Sequence, residues 1–221
     1  GNALVLLAQG VGYLHAGQEL MRSKSLDRNS YNSGDAFNFV DWTGERSGFG
    51  IGLPPAWDNE DSWPQMRPVL ERATDIAPRA EDAAFVNAWT KALLRLRRDS
   101  PLLRLDSSEA VQAALRFHPV AGEPGLVVGE LDAALLPAAH PARGTGRMVY
   151  VLNTSPEARR VEFSMFADSV SGARGWALHP ALVPLAGSSS GAAIDPRLAE
   201  ATLDAAGRLS IPGRTLAVFV R

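Results

Sequence analysis

The sequence predicts two parts of different character, an α/β segment up to about residue 104 and an all-β segment from about residue 105 to residue 221. Two observations predict this division. Apolar residues recur at helical spacing in Glu81–Arg98, and short β-type runs separated by Gly, Pro, Asn and Ser clusters follow that helix. Because 221 residues suffice for two domains, we expect domains at 1–104 and 105–221.

The first element predicted is the end of a buried helix at Ala3–Gln9, which Gly10 terminates. Val11–Ala16 then reads as a short apolar strand bounded by glycines, although periodicity alone does not distinguish helix from strand there. The N-terminus lacks the basic region and the cleavage site of a signal peptide. A domain seldom begins at the end of a buried helix, so we expect the chain to be truncated.

A long region from residue 17 to residue 79 carries little predicted regular structure and is rich in glycine, proline, asparagine and aspartate. Within it, the polar stretch Arg22–Asp35 lies between the apolar Val11–His15 and the aromatic Phe37–Trp42. A loop of this length inside a globular protein is usually a functional loop packed on a scaffold. Binding residues are therefore expected in it.

The clearest helix is Glu81–Arg98. Its apolar face carries Phe85, Trp89, Leu93 and Leu96 at spacings of four, four and three residues. Acidic residues in the first turn and arginines in the last favour the helix dipole, and Asp99-Ser100-Pro101 ends the helix. Trp89 is interpreted as a core residue rather than a ligand platform.

The all-β segment is predicted from short runs that alternate with turn residues, the pattern of an antiparallel sandwich. Asn153–Pro156 is predicted to be a turn, and the Gly-Ser-rich stretch at 186–193 a flexible surface loop. The predicted strands are Ala113–Phe117, Leu126–Leu131, Met148–Leu152, Val161–Phe163 and Leu216–Val220.

Composition excludes several classes of function. The net charge is −2, and no long block of one sign is present, so neither nucleic acid nor an anionic membrane is a predicted partner. No apolar run approaches the ~20 residues that span a bilayer. The absence of cysteine excludes disulfides, thiolate nucleophiles and cysteine-ligated metals, but it assigns no compartment.

Known catalytic and cofactor motifs are absent from the chain: it has no Walker sequence, no GxGxxG after a strand, no GxSxG elbow and no HExxH. The four histidines have no metal-ligand spacing, which argues against a histidine metal site. His118 and His140 are expected in exposed loops, and His15 at the end of the predicted strand. No cofactor is predicted, and calcium is left open.

Carboxylates are frequent in the loop region, and two opposed carboxylates are what a glycosidase needs. For each of them, capping a turn or pairing with Arg22, Arg28 or Arg46 is the more common use. The aromatic residues beside them suit either stacking on a sugar ring or packing of the loop. The carboxylates in question are Glu19, Asp27, Asp35, Asp41, Asp58, Glu60 and Asp61.

The amino-acid sequences of several segments closely resemble those of the pullulanases and limit dextrinases, the debranching members of the α-amylase family. The resemblance is strong over about residues 10–130. The segments that carry it are Ala16–Leu20, Arg22–Arg28, Ser30–Asp35, Phe37–Asn38, Asp41–Trp42, Gly52–Pro55, Asp58–Asp61, Trp63–Pro64 and Ser100–Leu105.

This resemblance implies the C-terminal end of a (β/α)₈ barrel followed by an antiparallel β-sandwich. The segment before Gly10 would be the tail of the seventh helix, Val11–His15 the eighth strand, residues 17–79 its βα loop and Glu81–Arg98 the eighth helix. Active sites of such barrels lie in the βα loops. The family's three catalytic carboxylates lie on strands four, five and seven, so none is expected in this chain, and the chain alone is expected to be inactive.

One sugar contact carries over from the resemblance. Members of the family usually have the sequence Gly-Asp-Trp-Phe-Asn-Arg in this loop. Its aspartate and its arginine bind the glucose next to the one whose linkage is cleaved. Asp35 matches the aspartate, whereas Ala36 and Phe39 occupy the tryptophan and arginine positions. Phenylalanine has none of the hydrogen-bond donors that the planar guanidinium of arginine presents. An altered sugar subsite is therefore expected.

The implied function is cleavage of α-1,6-glucosidic branch linkages in pullulan, glycogen or starch, with an α-glucan as partner. Two alternatives stay open: a non-catalytic carbohydrate-binding or structural module, and part of an α-amylase-family transglycosylase. A single strand and helix cannot close a barrel, so the chain by itself is expected to self-associate or to expose apolar surface around residues 3–16.

Overall fold

The computed structural model describes residues 1–167, 175–187 and 194–221. Its chain divides into two compact units. One comprises Gly1, Ala3–Gly12 and Lys91–Arg221, and the other comprises Asn2 and Tyr13–Thr90. None of the helices in these described ranges combines the length and the apolar composition needed to cross a membrane. The domain boundary that the sequence places near residue 105 stays a prediction.

Helices of the described residues are short, apart from one. They are α1 (Asn2–Leu7), α2 (Asp35–Asn38), α3 (Ala56–Asn59), α4 (Trp63–Leu70), α5 (Ala73–Ile76), α6 (Ala80–Asp99), α7 (Ser108–Ala114), α8 (Val183–Ala186) and α9 (Arg197–Glu200). Single 3₁₀ turns lie at Gln18–Leu20, Ser30–Asn32, Glu60–Ser62, Pro101–Leu103, Ala133–Leu135 and Ser164–Phe166.

Helix α6 confirms the strongest periodic pattern of the sequence. It carries Glu81 and Asp82 in its first turn and Arg97 and Arg98 in its last, as the dipole argument requires. Of its predicted apolar face, Leu93 and Leu96 are buried and Phe85 and Trp89 half-buried. The helix ends where Ser100 and Pro101 begin a 3₁₀ turn.

The larger sheet contains five antiparallel strands in the order β1-β2-β3-β8-β5. Its strands are β1 (Leu115–Phe117), β2 (Leu126–Asp132), β3 (Arg147–Asn153), β5 (Ala177–Leu178) and β8 (Thr215–Val220). Gly129 of β2 lies opposite Tyr150 of β3, where a Cβ would lie 2.1 Å from the phenol ring. Glycine at this register position therefore lets the Tyr150 ring cross β2.

A smaller antiparallel sheet has the order β4-β7-β6 and consists of β4 (Arg159–Glu162), β6 (Thr202–Leu203) and β7 (Arg208–Ile211). Asn153, at the end of β3, is buried and donates to the backbone oxygens of Glu157, Ile211 and Pro212. Its amide thus joins the two sheets, because it satisfies carbonyls that face away from both ladders.

An aromatic cluster fills the core beside the larger sheet. Phe166, fully buried, contacts Phe163, Trp176 and His118 with ring centroids 5.2, 5.8 and 5.2 Å away. The indole of Trp176 donates to the Phe166 carbonyl at 3.0 Å. The tilted and edge-on geometry is the arrangement that aromatic quadrupoles prefer.

Arg97, near the end of α6, holds the segment that follows α1. Its guanidinium donates to the backbone oxygens of Leu6 at 2.9 Å, Ala8 at 2.6 Å and Gly10. The carbonyls at the end of a helix have no partners within that helix, and a cation is favourable there. Gln9 adds a second tie, because its amide donates to the Leu102 carbonyl at 2.7 Å.

Several of the sequence predictions are confirmed. The helix predicted at Ala3–Gln9 is present as α1, which ends at Leu7, and antiparallel strands β2, β3, β4 and β8 coincide with four predicted runs to within a few residues. The predicted loop at 186–193 lies for the most part outside the described residues. Asn153–Pro156 connects β3 and β4, as the turn residues indicate.

Other predictions differ from the structure. The run Val11–Ala16 forms no strand, because a strand is defined by pairing and no partner lies beside it in the described part of the chain. Ser107 caps a helix by accepting from the Ala110 amide, so only Leu115–Phe117 of the predicted first strand is β. Helix α4 lies within the region predicted to be irregular, where prolines at residues 64 and 68 weaken the helical signal.

Candidate functional site

The loop after residue 17 is held together by the guanidinium of Arg22. This group donates to the backbone oxygens of Phe39 at 2.9 Å, of Asn38 and of Ala16 at 3.3 Å, and its Nη1 lies 3.1 Å from His15 Nε2. An arginine with this many acceptors fixes the spacing of the segments it joins. Arg22 therefore sets where α2 lies relative to the beginning of the loop.

A second set of contacts closes the loop onto α2. The ammonium group of Lys24 donates to the hydroxyl of Ser30 and to Asn38 Oδ1 at 3.1 Å. The amide of Asn38 donates in turn to the backbone oxygens of Ser30 at 2.7 Å and Gly34 at 2.9 Å. These bonds use the polar groups of the loop internally, so the loop keeps a defined shape despite its lack of regular structure.

The middle of the loop adopts a backbone conformation that L-residues rarely take. Ser25 and Leu26 have φ angles of 48° and 69°. Non-glycine residues in this region cost about 1–3 kcal/mol each and persist where the surroundings fix them. Ser25 is completely buried, and its hydroxyl donates to the Gly52 carbonyl at 3.2 Å.

Asn59 joins this loop to the 54–59 segment. Its side chain is fully buried, donates to Asp27 Oδ1 at 2.9 Å and to the Pro55 carbonyl at 3.0 Å, and accepts from the Arg28 amide at 3.2 Å. Three of the four hydrogen-bonding positions of the amide are thereby occupied. Asn59 thus connects the two resemblance-bearing segments that the sequence singled out.

Asp35 is the candidate binding residue, and its carboxylate is exposed. Gly34, with φ 75°, turns the chain so that Asp35 becomes the first residue of α2. The backbone oxygen of Asp35 accepts from the Phe39 amide at 2.9 Å. Among the described residues, no hydrogen bond or ion pair engages the Asp35 carboxylate, which leaves its acceptor oxygens available to a ligand.

Most other loop carboxylates have structural partners instead. Glu19 accepts from the Gly17 amide at 3.1 Å, Asp27 from Asn59, and Asp58 lies 3.9 Å from Arg28. These contacts match the more common use of loop carboxylates, which the sequence analysis weighed against catalysis. Glu60 and Asp61 are exposed in a 3₁₀ turn.

Asp41 shapes a tight turn after α2. Its carboxylate accepts from the Thr43 hydroxyl at 2.6 Å, the Thr43 amide at 3.1 Å and the Arg46 amide at 2.8 Å. The hydrogen bond from the Thr43 hydroxyl, the largest contribution, keeps the pKa of Asp41 below its usual value. The carboxylate therefore stays ionised and holds the turn closed at neutral pH.

Ala36 and Phe39, the two positions at which the sequence differs from the family motif, have different surroundings. Ala36 is exposed. Phe39 is half-buried, and the Arg46 guanidinium carbon lies 5.5 Å from the centroid of its ring. This contact was not predicted from the sequence. Its only sequence signal is the Asp-x-Thr-Gly turn at Asp41, which brings Arg46, five positions after Asp41, back towards α2.

Large aromatic side chains are exposed in this region of the chain. Tyr31, Trp42 and Trp57 keep 89%, 68% and 52% of their surface accessible, whereas Trp63 donates its indole N–H to the Pro54 carbonyl at 2.9 Å. Aromatic rings left in water are suited to stacking on sugar faces, and Trp63 instead packs the loop. Packing of the loop by an aromatic residue is therefore observed for Trp63, and stacking on a sugar stays a prediction for the exposed rings.

The histidines are structural. His140 and His179 each precede Pro-Ala, and in both the ring Nδ1 accepts from the amide two residues later at 3.1 Å. The proton therefore lies on Nε2, which donates to Asp106 Oδ1 and to Ser100 Oγ, respectively, each at 3.1 Å. Within the described ranges, no group of three or more acidic, histidine or cysteine residues could hold a metal ion.

His118 and His140 lie outside the helices and strands, as expected, but the expectation that they are exposed is wrong. Their side chains keep only 17% and 10% of their surface exposed, and His118 Nε2 lies 2.8 Å from Glu130 Oε2. A partner carboxylate explains the difference, because it satisfies a ring nitrogen that would otherwise need water.

Known proteins resemble this chain over nearly all of its length. The family profile described as α-1,6-glucosidases, pullulanase-type, C-terminal, matches residues 44–221. The chloroplastic pullulanase 1 of Arabidopsis thaliana is 34% identical over 99% of this chain, and a pullulanase of Klebsiella pneumoniae is 31% identical over 71%. The chain covers only 22% and 14%, respectively, of the lengths of these relatives.

Solved structures resemble the fold as well. The crystal structure of PulA from Klebsiella oxytoca aligns with 99% of this chain at a TM-score of 0.78 and 26% identity, and the chain covers 19% of it. The maltotriose complex of PulA from Klebsiella pneumoniae aligns with 99% of this chain at a TM-score of 0.79 and 25% identity, and the chain covers 22% of it.

Proposed function

This chain belongs to the pullulanase-type α-1,6-glucosidases, as one of their C-terminal regions, and from that premise we propose that the protein carrying it hydrolyses α-1,6-glucosidic branch linkages in pullulan, glycogen or starch. The chain corresponds to about a fifth of the length of its similar relatives. The catalytic carboxylates would be supplied by the rest of the protein, through the two-carboxylate retaining mechanism.

In this proposal the first part of the chain completes a (β/α)₈ barrel. Helix α1 would be the tail of the seventh helix, Val11–His15 the eighth strand and α6 the eighth helix, and residues 105–221 would form a β-sandwich domain. Support comes from the exposed Leu4, Val11 and Tyr13, which keep 58%, 81% and 84% of their surface accessible. Apolar residues are left in water when the strands and helices that should cover them are absent.

Asp35 would contact the glucan. The observation that supports this role is the Asp35 carboxylate, which has no partner among the described residues, in a loop whose other polar groups are mostly engaged. An ionised carboxylate accepts hydrogen bonds from two neighbouring sugar hydroxyls, and such charge-assisted bonds are stronger than neutral ones. A related pullulanase has been crystallised with maltotriose, which supports a malto-oligosaccharide as the ligand.

Assay of the full-length protein on pullulan and amylose tests the proposal. We expect maltotriose from pullulan and no cleavage of amylose, because only pullulan carries the α-1,6 linkage. Larger transfer products would instead indicate a transglycosylase, and the absence of any turnover would indicate a non-catalytic carbohydrate-binding or structural protein.

The role of Asp35 is tested by Asp35→Asn in the same full-length protein. We expect kcat/KM on pullulan to fall about 10- to 100-fold, since the loss of a charged hydrogen-bond acceptor costs about 1.5–3 kcal/mol. The matched control is Asp61→Asn, an exposed carboxylate in a 3₁₀ turn. Equal activity of both variants would remove Asp35 from the substrate site.

A further inference from the structure

We propose that Arg46 is a second glucan-binding residue, whose guanidinium rests on the Phe39 ring and donates to hydroxyls of the sugar that Asp35 contacts. The inference deepens the proposed function and rests on it. It assigns the donor at this subsite to a residue outside α2, whereas the family resemblance would place the donor at the position of Phe39.

Asp35 and Phe39 lie on the same face of α2. The Phe39 amide donates to the Asp35 backbone oxygen at 2.9 Å, the bond of residues one helical turn apart. Side chains four positions apart in this geometry are neighbours on the helix surface. The side chains of Asp35 and Phe39 therefore project from the same side of α2, and a group that rests on the Phe39 ring lies on that side.

The turn after α2 brings Arg46 to this surface. Asp41 holds the Arg46 amide at 2.8 Å, and Gly44, with φ 76°, supplies the left-handed residue that such a turn requires. The Arg46 guanidinium carbon then lies 5.5 Å from the Phe39 ring centroid. A cation over an aromatic face is attracted by the ring quadrupole, which restricts the orientation of the exposed side chain.

Within the described residues, Arg46 differs from Arg22 and Lys24, the two cations that contact α2, in having unused donors. The Arg22 guanidinium is occupied by backbone oxygens, and the Lys24 ammonium by Ser30 and Asn38. In the described part of the chain, the Arg46 guanidinium has no ion pair and no hydrogen-bond acceptor, and the residue is exposed. Five N–H donors of fixed geometry are thus available to a ligand.

The opposite charges of Asp35 and Arg46 together favour a neutral, hydroxylated ligand. The Asp35 carboxylate only accepts hydrogen bonds, and the Arg46 guanidinium only donates them. An anionic ligand would be repelled by Asp35 and a cationic ligand by Arg46, whereas the hydroxyls of a neutral sugar both donate and accept. The apolar ring of Phe39 between them suits the C–H face of a pyranose. A neutral glucan satisfies all three groups.

Calorimetric titration of the full-length protein with maltotriose tests this assignment. We expect Arg46→Gln to raise the Kd about tenfold, the loss typical of one hydrogen bond from a charged donor. The matched control is Arg67→Gln. Arg67 is exposed and its guanidinium carbon lies 5.7 Å from the Trp63 ring centroid, so the control removes a similar cation–aromatic contact away from Asp35 and should leave the Kd unchanged.

A rescue variant separates a lost ligand contact from a disturbed loop. Phe39→Arg, introduced into the Arg46→Gln protein, places a guanidinium one turn after Asp35 and should restore at least part of the maltotriose affinity. Failure of the rescue, or an unchanged Kd for Arg46→Gln while Asp35→Asn binds weakly, would overturn the role of Arg46 and leave the proposed function standing. A wild-type protein that neither binds maltotriose nor cleaves pullulan would overturn both.

Discussion

Asn59 shows how a single residue can hold a long irregular loop. Its buried amide donates to Asp27 Oδ1 and to the Pro55 carbonyl and accepts from the Arg28 amide, groups that come from two separate segments. Asp27 and Arg28 belong to no helix or strand of the described residues. The positions of Ser25 and Leu26, with positive φ, depend on such contacts to remain folded.

We predict that Asn59→Ala lowers the free energy of unfolding by about 2–3 kcal/mol, because it leaves buried polar groups without partners. Urea denaturation measures the change. Asn32→Ala, at an exposed position of a 3₁₀ turn, is the matched control and should change the stability by less than about 0.5 kcal/mol. Equal stabilities of the two variants would contradict the role assigned to Asn59.

At the scale of elements, α1 depends on α6 through the Arg97 guanidinium. Helix α1 has only six residues and no side-chain cap, so its terminal carbonyls need partners from elsewhere in the chain. Arg97→Gln should lower the protection of the α1 amides against hydrogen exchange by about 1–2 kcal/mol, as followed by mass spectrometry. Arg95→Gln, two residues earlier in α6 and exposed, should leave that protection unchanged.

The end of α6 and strand β5 meet through the Ser100–His179 hydrogen bond, which makes this contact sensitive to pH. Burial lowers the pKa of His179 below its ordinary 6.5, against a smaller opposing effect of the nearby Asp99 charge. Protonation would also break the bond that Nδ1 accepts from Ala181. Because the unfolded chain binds the proton more tightly, this contribution to stability is complete above pH 6.5 and is lost as the pH falls from 6.5 towards the folded-state pKa.

Urea denaturation of wild type and His179→Gln at pH 7.5 and at pH 5 measures this effect. We expect the wild-type protein to lose more stability than the variant between these two pH values, since the variant has no imidazole at this position. A variant that loses as much stability as the wild type would show that His179 does not titrate in this range.

At the scale of the whole molecule, the exposed apolar residues near the N-terminus should govern self-association. We predict that the 221-residue chain by itself does not cleave pullulan, and that it binds a hydrophobic dye and sediments as a dimer or larger species. Val11→Ser with Tyr13→Ser should reduce both effects. Leu135→Ser, which alters a residue 50% exposed in a 3₁₀ turn, serves as control. A monodisperse monomer that binds no dye would contradict the prediction.

The periodic spacing of apolar residues predicted those helices and strands whose own residues favour a single structure. Helix α6 and strands β2, β3 and β8 were predictable because their apolar spacing and their terminal residues all favour one structure. The two-residue strands β5 and β6 were missed, since their pairing is decided by the neighbouring strand rather than by their own residues. Val11–Ala16 has the composition of a strand but lacks a partner within the described residues.

The sequence by itself determined the family resemblance, the long loop and Asp35 as its candidate ligand, because these depend on residue types in a fixed order. Only the tertiary structure decided which polar groups of the loop remain available. Side-chain groups of Arg22, Lys24, Asp27 and Asn59 are engaged by segments distant in sequence, whereas the Asp35 carboxylate has no such contact in the part of the chain that the structure describes. Whether a polar side chain is available to a ligand depends on its neighbours in space. For the same reason, Arg46 could be identified as a candidate only from its position on the Phe39 ring.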